Sequence, residues 1–96
     1  MTQYSRGYRV ENDVVNLYKD KDWYAARIAG SHTCMDVFAC RAGEMHFIQC
    51  SCRKRGKTRK DLDVLIALAK ENNARAFHAY REKGIQIVEV SQNDGI

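Results

Sequence analysis

The chain has 96 residues, 45% of them hydrophobic and 29% charged, and a formal net charge of +4 at neutral pH. That length allows one compact core, so residues 1–96 are expected to form a single domain whose stability would gain from dimerisation. The basic balance favours a polyanionic partner, and no apolar run approaches the ~20 residues that span a bilayer.

The N-terminus, MTQYSRGYRV, lacks the apolar stretch of a secretory signal, which implies a cytoplasmic protein. In that reducing compartment the four cysteines are expected to be thiols or metal ligands and not disulfides. The charge is unevenly placed. Between Arg53 and Lys60, six of eight residues are basic: Arg53, Lys54, Arg55, Lys57, Arg59 and Lys60.

In chain order, Val10, Val14, Leu17 and Tyr18 recur at helical spacing with Arg9, Asp13, Asn16 and Asp20 opposite, which predicts an amphipathic helix from about Ser5 to Lys21, capped by Ser5. Three strands follow. They are Trp23–Ile28, then Met35–Arg41 after an Ala29-Gly30-Ser31-His32-Thr33 loop, then Met45–Cys52, with a tight hairpin at Ala42-Gly43-Glu44. The basic loop leads to a second helix from about Lys60 to Asn72, where Thr58 and Asp61 resemble a capping box. Its apolar surface is wide: Leu62, Leu65, Ile66 and Ala69 form one stripe, and Val64 and Leu68 lie elsewhere. A helix covered on more than one side suggests a second subunit. Two β-like runs, Arg75–Arg81 and Ile85–Val90, close the chain, joined near Lys83-Gly84. The order is α-β-β-β-α-β-β.

Strand alternation sorts the side chains. Phe47, Gln49 and Ser51 share one face of the third strand, continued by Arg53 if the strand extends, and His46, Ile48, Cys50 and Cys52 share the other. On the second strand Asp36, Phe38 and Cys40 share a face, so Phe38 beside Phe47 brings Asp36 and Gln49 to one side. Asp is disfavoured in strands and costly to bury unpaired, so Asp36 is either a cap of the preceding turn or a functional carboxylate. The cysteines divide between faces, at spacings that match none of the common zinc patterns, and are expected to be buried apolar side chains.

These features together resemble the archaeal Holliday junction resolvases, a branch of the PD-(D/E)xK nuclease superfamily, over most of the chain. Arg6-Gly7-Tyr8-Arg9-Val10-Glu11 is similar to the family's basic, glycine-containing opening with its catalytic glutamate, except that Asn12 stands where an arginine commonly follows. Arg27-Ile28-Ala29-Gly30-Ser31 is similar to the strand ending in arginine and the loop with a functional serine, Ser31. The PD element corresponds to Met35-Asp36 and the (D/E)xK element to Gln49-Cys50-Ser51. The resemblance implies a restriction-endonuclease-like α/β fold with a central mixed sheet flanked by helices. It also implies a homodimer acting on four-way junctions, and metal-assisted phosphodiester hydrolysis.

In that chemistry carboxylates hold Mg²⁺, or Mn²⁺ in its place, and a lysine neutralises developing charge. Glu11, Asp36 and Gln49 would be the metal ligands, Gln49 with a neutral carbonyl, and Ser51 cannot supply an ammonium. Arg53 or Arg27 are the available substitutes, both permanently charged. The basic loop, with Arg6, Arg9 and Arg27, would form a DNA-binding face for branched or duplex DNA. An active junction endonuclease and an inactive dimeric DNA-binding pseudonuclease are the competing readings. An RNA-processing protein of related fold is a third, without placed catalytic residues. Neither a membrane nor a small-molecule substrate is indicated.

Overall fold

The computed structural model describes residues 3–28, 34–55 and 59–91, with side chains from Tyr8 onward. Helix α1 (Gln3–Lys19) is followed by strands β1 (Tyr24–Arg27), β2 (Val37–Arg41) and β3 (Glu44–Cys50), helix α2 (Arg59–Glu71), and strands β4 (Arg75–Arg81) and β5 (Ile85–Val90). The expected order therefore holds. α1 begins upstream of Ser5, so Ser5 lies inside the helix and not at its cap. β3 stops at Cys50, two residues short of the expected Cys52.

Both helices end without glycine. Asp22 adopts φ 66° and Trp23 N–H reaches back to the Tyr18 carbonyl at 3.1 Å, while Asn73 at φ 55° does the same for α2 through Ala74 N–H and Ala69. Left-handed residues at this position close the last turn, and Asn and Asp tolerate it better than most side chains. Ala42 and Gly43 both have positive φ and connect the paired residues Arg41 and Glu44. That is the two-residue hairpin whose twist matches the strands.

The sheet runs in the order β1-β2-β3-β4-β5. All neighbours are antiparallel except β3 and β4, which are parallel, with His46 opposite Arg75 and Gln49 opposite His78. A parallel pair needs a crossover, and α2 supplies it. One face of the sheet carries Ala25, Val37, Ala39, Ile48, Cys50, Phe77 and Ala79 against Val10, Val14, Val15 and Tyr18 of α1. The other carries Phe47 and Ala76, with Phe38 and Val90, against Leu65, Ile66 and Ala69 of α2. Phe38 and Phe47 pack with ring centroids 6.0 Å apart, as alternation indicated. Val64 of α2 remains 54% exposed.

All four cysteines are free, yet only Cys50 is buried; Cys34, Cys40 and Cys52 are half-exposed. The expectation of four buried cysteines fails because Cys34 and Cys52 lie beyond the strand ends and Cys40 sits on an edge-ward strand position facing away from α1. Among the described residues no cluster of His, Cys, Asp or Glu is arranged to hold a metal. No helix among them is long and apolar enough to cross a membrane. The expected capping box at Thr58 and the side chain of Arg6, together with Ser31, His32 and Lys57, lie outside the described residues.

Candidate nucleic-acid interface and nuclease motif

Asp36 immediately precedes β2, at the end of the sheet where β1 and β3 finish. Its backbone is stitched on both sides: its N–H donates to the Ile48 carbonyl at 2.8 Å, and its carbonyl accepts from Ile28 N–H at 2.9 Å. Its Oδ2 accepts the Cys50 backbone N–H at 2.8 Å. The carboxylate thus caps the end of the β2–β3 ladder and not the turn before it, and it marks the place where β3 stops pairing with β2.

Gln49 lies one position beyond the last β2–β3 pair, Val37 with Ile48, and so faces Asp36 across the strands. The side chain is 6% exposed, and its Oε1 is fully buried with no hydrogen-bond donor among the described residues. Ser51 continues the same face and is also buried. Its N–H bonds to the Ala79 carbonyl at 2.9 Å, extending the parallel pairing past the strand's end. Its hydroxyl donates to the Arg53 carbonyl at 2.5 Å and lies 2.8 Å from His78 Nε2. With the hydroxyl hydrogen directed at the Arg53 carbonyl, the Ser51 oxygen is left to accept from His78 Nε2–H.

The same Ser51–Arg53 bond folds the chain back, so the expectation that Arg53 extends the Gln49–Ser51 face is corrected. Arg53 is exposed and lines a cavity of about 410 Å³ with Arg9, Val10, Cys52 and Arg81, on the α1 side of the sheet. Arg27 is likewise no substitute for a lysine beside Ser51. Its partner in the β1–β2 ladder is Val37, which places it on the α1 face, and there its Nε donates to Glu11 Oε1 at 3.0 Å. The Tyr8 ring stacks on its guanidinium, 4.0 Å from the ring centroid. The sequence-derived set therefore separates. Asp36, Gln49 and Ser51 meet at the end of β3, whereas Glu11 is paired with Arg27 across the sheet from Gln49 and Ser51.

The basic segment also divides. Lys54, Arg55 and Lys60 are exposed. Arg59 is engaged in structure, pairing with Asp63 at 3.0 Å and donating to the Ser91 carbonyl at 2.9 Å. Arg81 and His78 were not singled out by the sequence. Arg81 pairs with Asp13 of α1 at 2.7 Å and completes the arginine-lined cavity. The signal that would have found both is the helix between β3 and β4. It implies a parallel crossover, which aligns the ends of these strands and brings His78 beside the motif and Arg81 to the cavity on the opposite face.

Oxygen donors of this kind suit Mg²⁺ in type. Gln49 Oε1 is positioned as an unsatisfied acceptor, and Asp36 contributes a carboxylate with one oxygen already holding Cys50 N–H. The charge they offer is that of a single carboxylate, since Gln49 is neutral and Glu11 is neutralised by Arg27.

The family model for archaeal Holliday junction resolvase (Hjc) matches residues 2–94. No curated protein matches the chain. Among solved structures it is similar to Hjc of Archaeoglobus fulgidus, described as a Holliday junction resolvase from an archaeal hyperthermophile. The TM-score is 0.72 and the identity 22%, over 84% of this chain and 73% of that one.

Proposed function

Because the chain belongs to the archaeal Holliday junction resolvase family, we propose that it binds four-way and related branched DNA in a structure-selective way, with strand cleavage weakened or lost. The observation that carries this reading is the end of β3. There Arg9, Arg53 and Arg81 line a cavity on the α1 side of the sheet, and on the opposite face the motif's lysine position is a serine with its hydroxyl already donated. Arginines so placed contact phosphates without reading sequence, which suits backbone geometry as the recognised feature. Lys54, Arg55 and Lys60 are exposed and extend the basic surface.

Binding would be that of a homodimer, with the exposed Val64 on α2 as part of the face between subunits, and the protein would work in the cytoplasm. Cleavage requires charge that this site lacks. Removing one preorganised electrostatic contact typically costs ~3 kcal/mol in the transition state, about a hundredfold in rate. Here both the carboxylate at position 49 and the ammonium at position 51 are missing.

The second reading is a slow, metal-dependent endonuclease, and the unsatisfied Gln49 Oε1 favours it. Asp36 and Gln49 would hold Mg²⁺ or Mn²⁺, with Glu11 joining only if it left Arg27, and the ion would polarise the phosphate. Ser31 would act with these residues as the family's functional serine.

Incubating the protein with a labelled four-way junction and Mg²⁺ or Mn²⁺ separates the two. We expect retained, salt-sensitive junction binding and no paired nicks. Paired nicks that vanish in Asp36→Ala would establish the enzyme instead.

A further inference from the structure

We propose that His78 occupies the space of the family's motif lysine, and that its imidazole, together with positions 49 and 51, prevents this site from cutting. The proposal rests on the reading of the chain as a junction-binding protein with weakened cleavage.

His78 reaches the motif from the neighbouring strand. It is paired with Gln49 in the parallel ladder, and its side chain lies on the same face as those of Gln49 and Ser51. Its Nε2 stands 2.8 Å from Ser51 Oγ, and the two residues are 5% and 8% exposed. A lysine side chain following the path of that hydroxyl would place its γ-carbon at hydrogen-bond distance from the imidazole, well inside the ~3.5–4.0 Å at which carbon contacts are favourable. The ring is backed by Tyr80, 5.1 Å away between centroids, which limits its retreat. Serine is compatible with His78 because its oxygen accepts the imidazole N–H while its hydrogen goes to the Arg53 carbonyl. The exchange of lysine for serine and the presence of His78 are thus one coupled feature on two strands.

The test is a double-mutant cycle on the Gln49→Glu background, using Ser51→Lys, His78→Val and both, with His78→Ala as a second version should valine overpack the site. Thermal melting, junction binding and Mn²⁺-dependent junction cleavage are measured for each. We expect Ser51→Lys alone to lower the melting temperature and to cleave no better than background. Adding His78→Val should recover most of the melting loss and raise cleavage by at least about tenfold, one decade of rate. Additive melting effects at positions 51 and 78 would overturn the proposal, as would equal cleavage with and without His78, or a well-folded triple variant that binds junctions and does not cut. Family-like cleavage by the wild-type chain would instead remove the reading beneath it, and loss of junction binding in wild type would do the same.

Discussion

Gln49 keeps its Oε1 fully buried without a donor among the described residues, and an unsatisfied buried acceptor costs about 1–3 kcal/mol. Leucine has a similar volume and no acceptor to strand. We therefore expect Gln49→Leu to leave stability within ~1 kcal/mol of wild type or to raise it, measured by urea unfolding without divalent ions. Adding Mg²⁺ or Mn²⁺ then tests whether the oxygen is a ligand. A melting temperature that rises with the ion in wild type and not in Gln49→Leu would assign it that role, since a ligand that binds only the folded state stabilises it by mass action. At this scale much of the motif was legible from the sequence. Alternation, with Phe38 set beside Phe47, put Asp36, Gln49 and Ser51 on one side, because side-chain period in a strand is fixed by backbone geometry. Arg53 was not legible. The Ser51 hydroxyl turns the chain at that point, and a side-chain bond of this sort leaves no mark on hydrophobic periodicity.

Among the elements, β4 is held at its start by a clamp. Arg75 donates to both oxygens of Glu89 on β5, at 2.7 and 2.8 Å, and to Glu44 on β3 at 3.0 Å. Glu44 is shared with His46, whose other nitrogen is hydrogen-bonded with the Tyr18 hydroxyl of α1. The hydrogen bond from His46, with Arg75 adding to it, holds the Glu44 carboxyl below its usual range, and Arg75 does the same for Glu89. A carboxylate whose folded-state pKa is depressed contributes stability above its ordinary pKa and loses it as pH falls through the lowered one. The melting difference between wild type and Arg75→Ala is therefore expected to be present near pH 6 and to shrink toward about pH 3, below the ordinary carboxylate range. A difference that stayed constant over that span would mean the guanidinium acts through packing on Phe77, 5.5 Å away, and not through charge. The bounds of β4 and β5 were read correctly from the sequence, because each apolar run ends in turn residues. The parallel partnership of β4 with β3 was not, since strand order is a long-range choice. That one missing fact concealed both His78 and Arg81.

Over the whole molecule, a net charge of +4 predicts attraction to any polyanion, whereas the fold predicts where a phosphate would sit. The two can be separated by salt dependence. Each phosphate contact removed should flatten the plot of log affinity against log salt by about 0.9 for duplex DNA. Arg9→Gln and Arg53→Gln change exposed arginines of the cavity, so each is expected to flatten junction binding by about one such step. Arg75→Gln removes the same unit of charge at the opposite end of β4, where Arg75 faces Glu44 and Glu89, and should leave the slope unchanged. Arg81→Gln differs from both. It frees the Asp13 carboxylate that Arg81 neutralises, so the variant loses a cation and exposes an anion at the same cavity. Its affinity should therefore fall further than that of Arg9→Gln or Arg53→Gln, and Asp13→Asn should restore part of the loss. Equal slopes for all four arginine variants would mean that net charge alone drives binding. The cavity at the end of β3 would then have no special part in seating DNA.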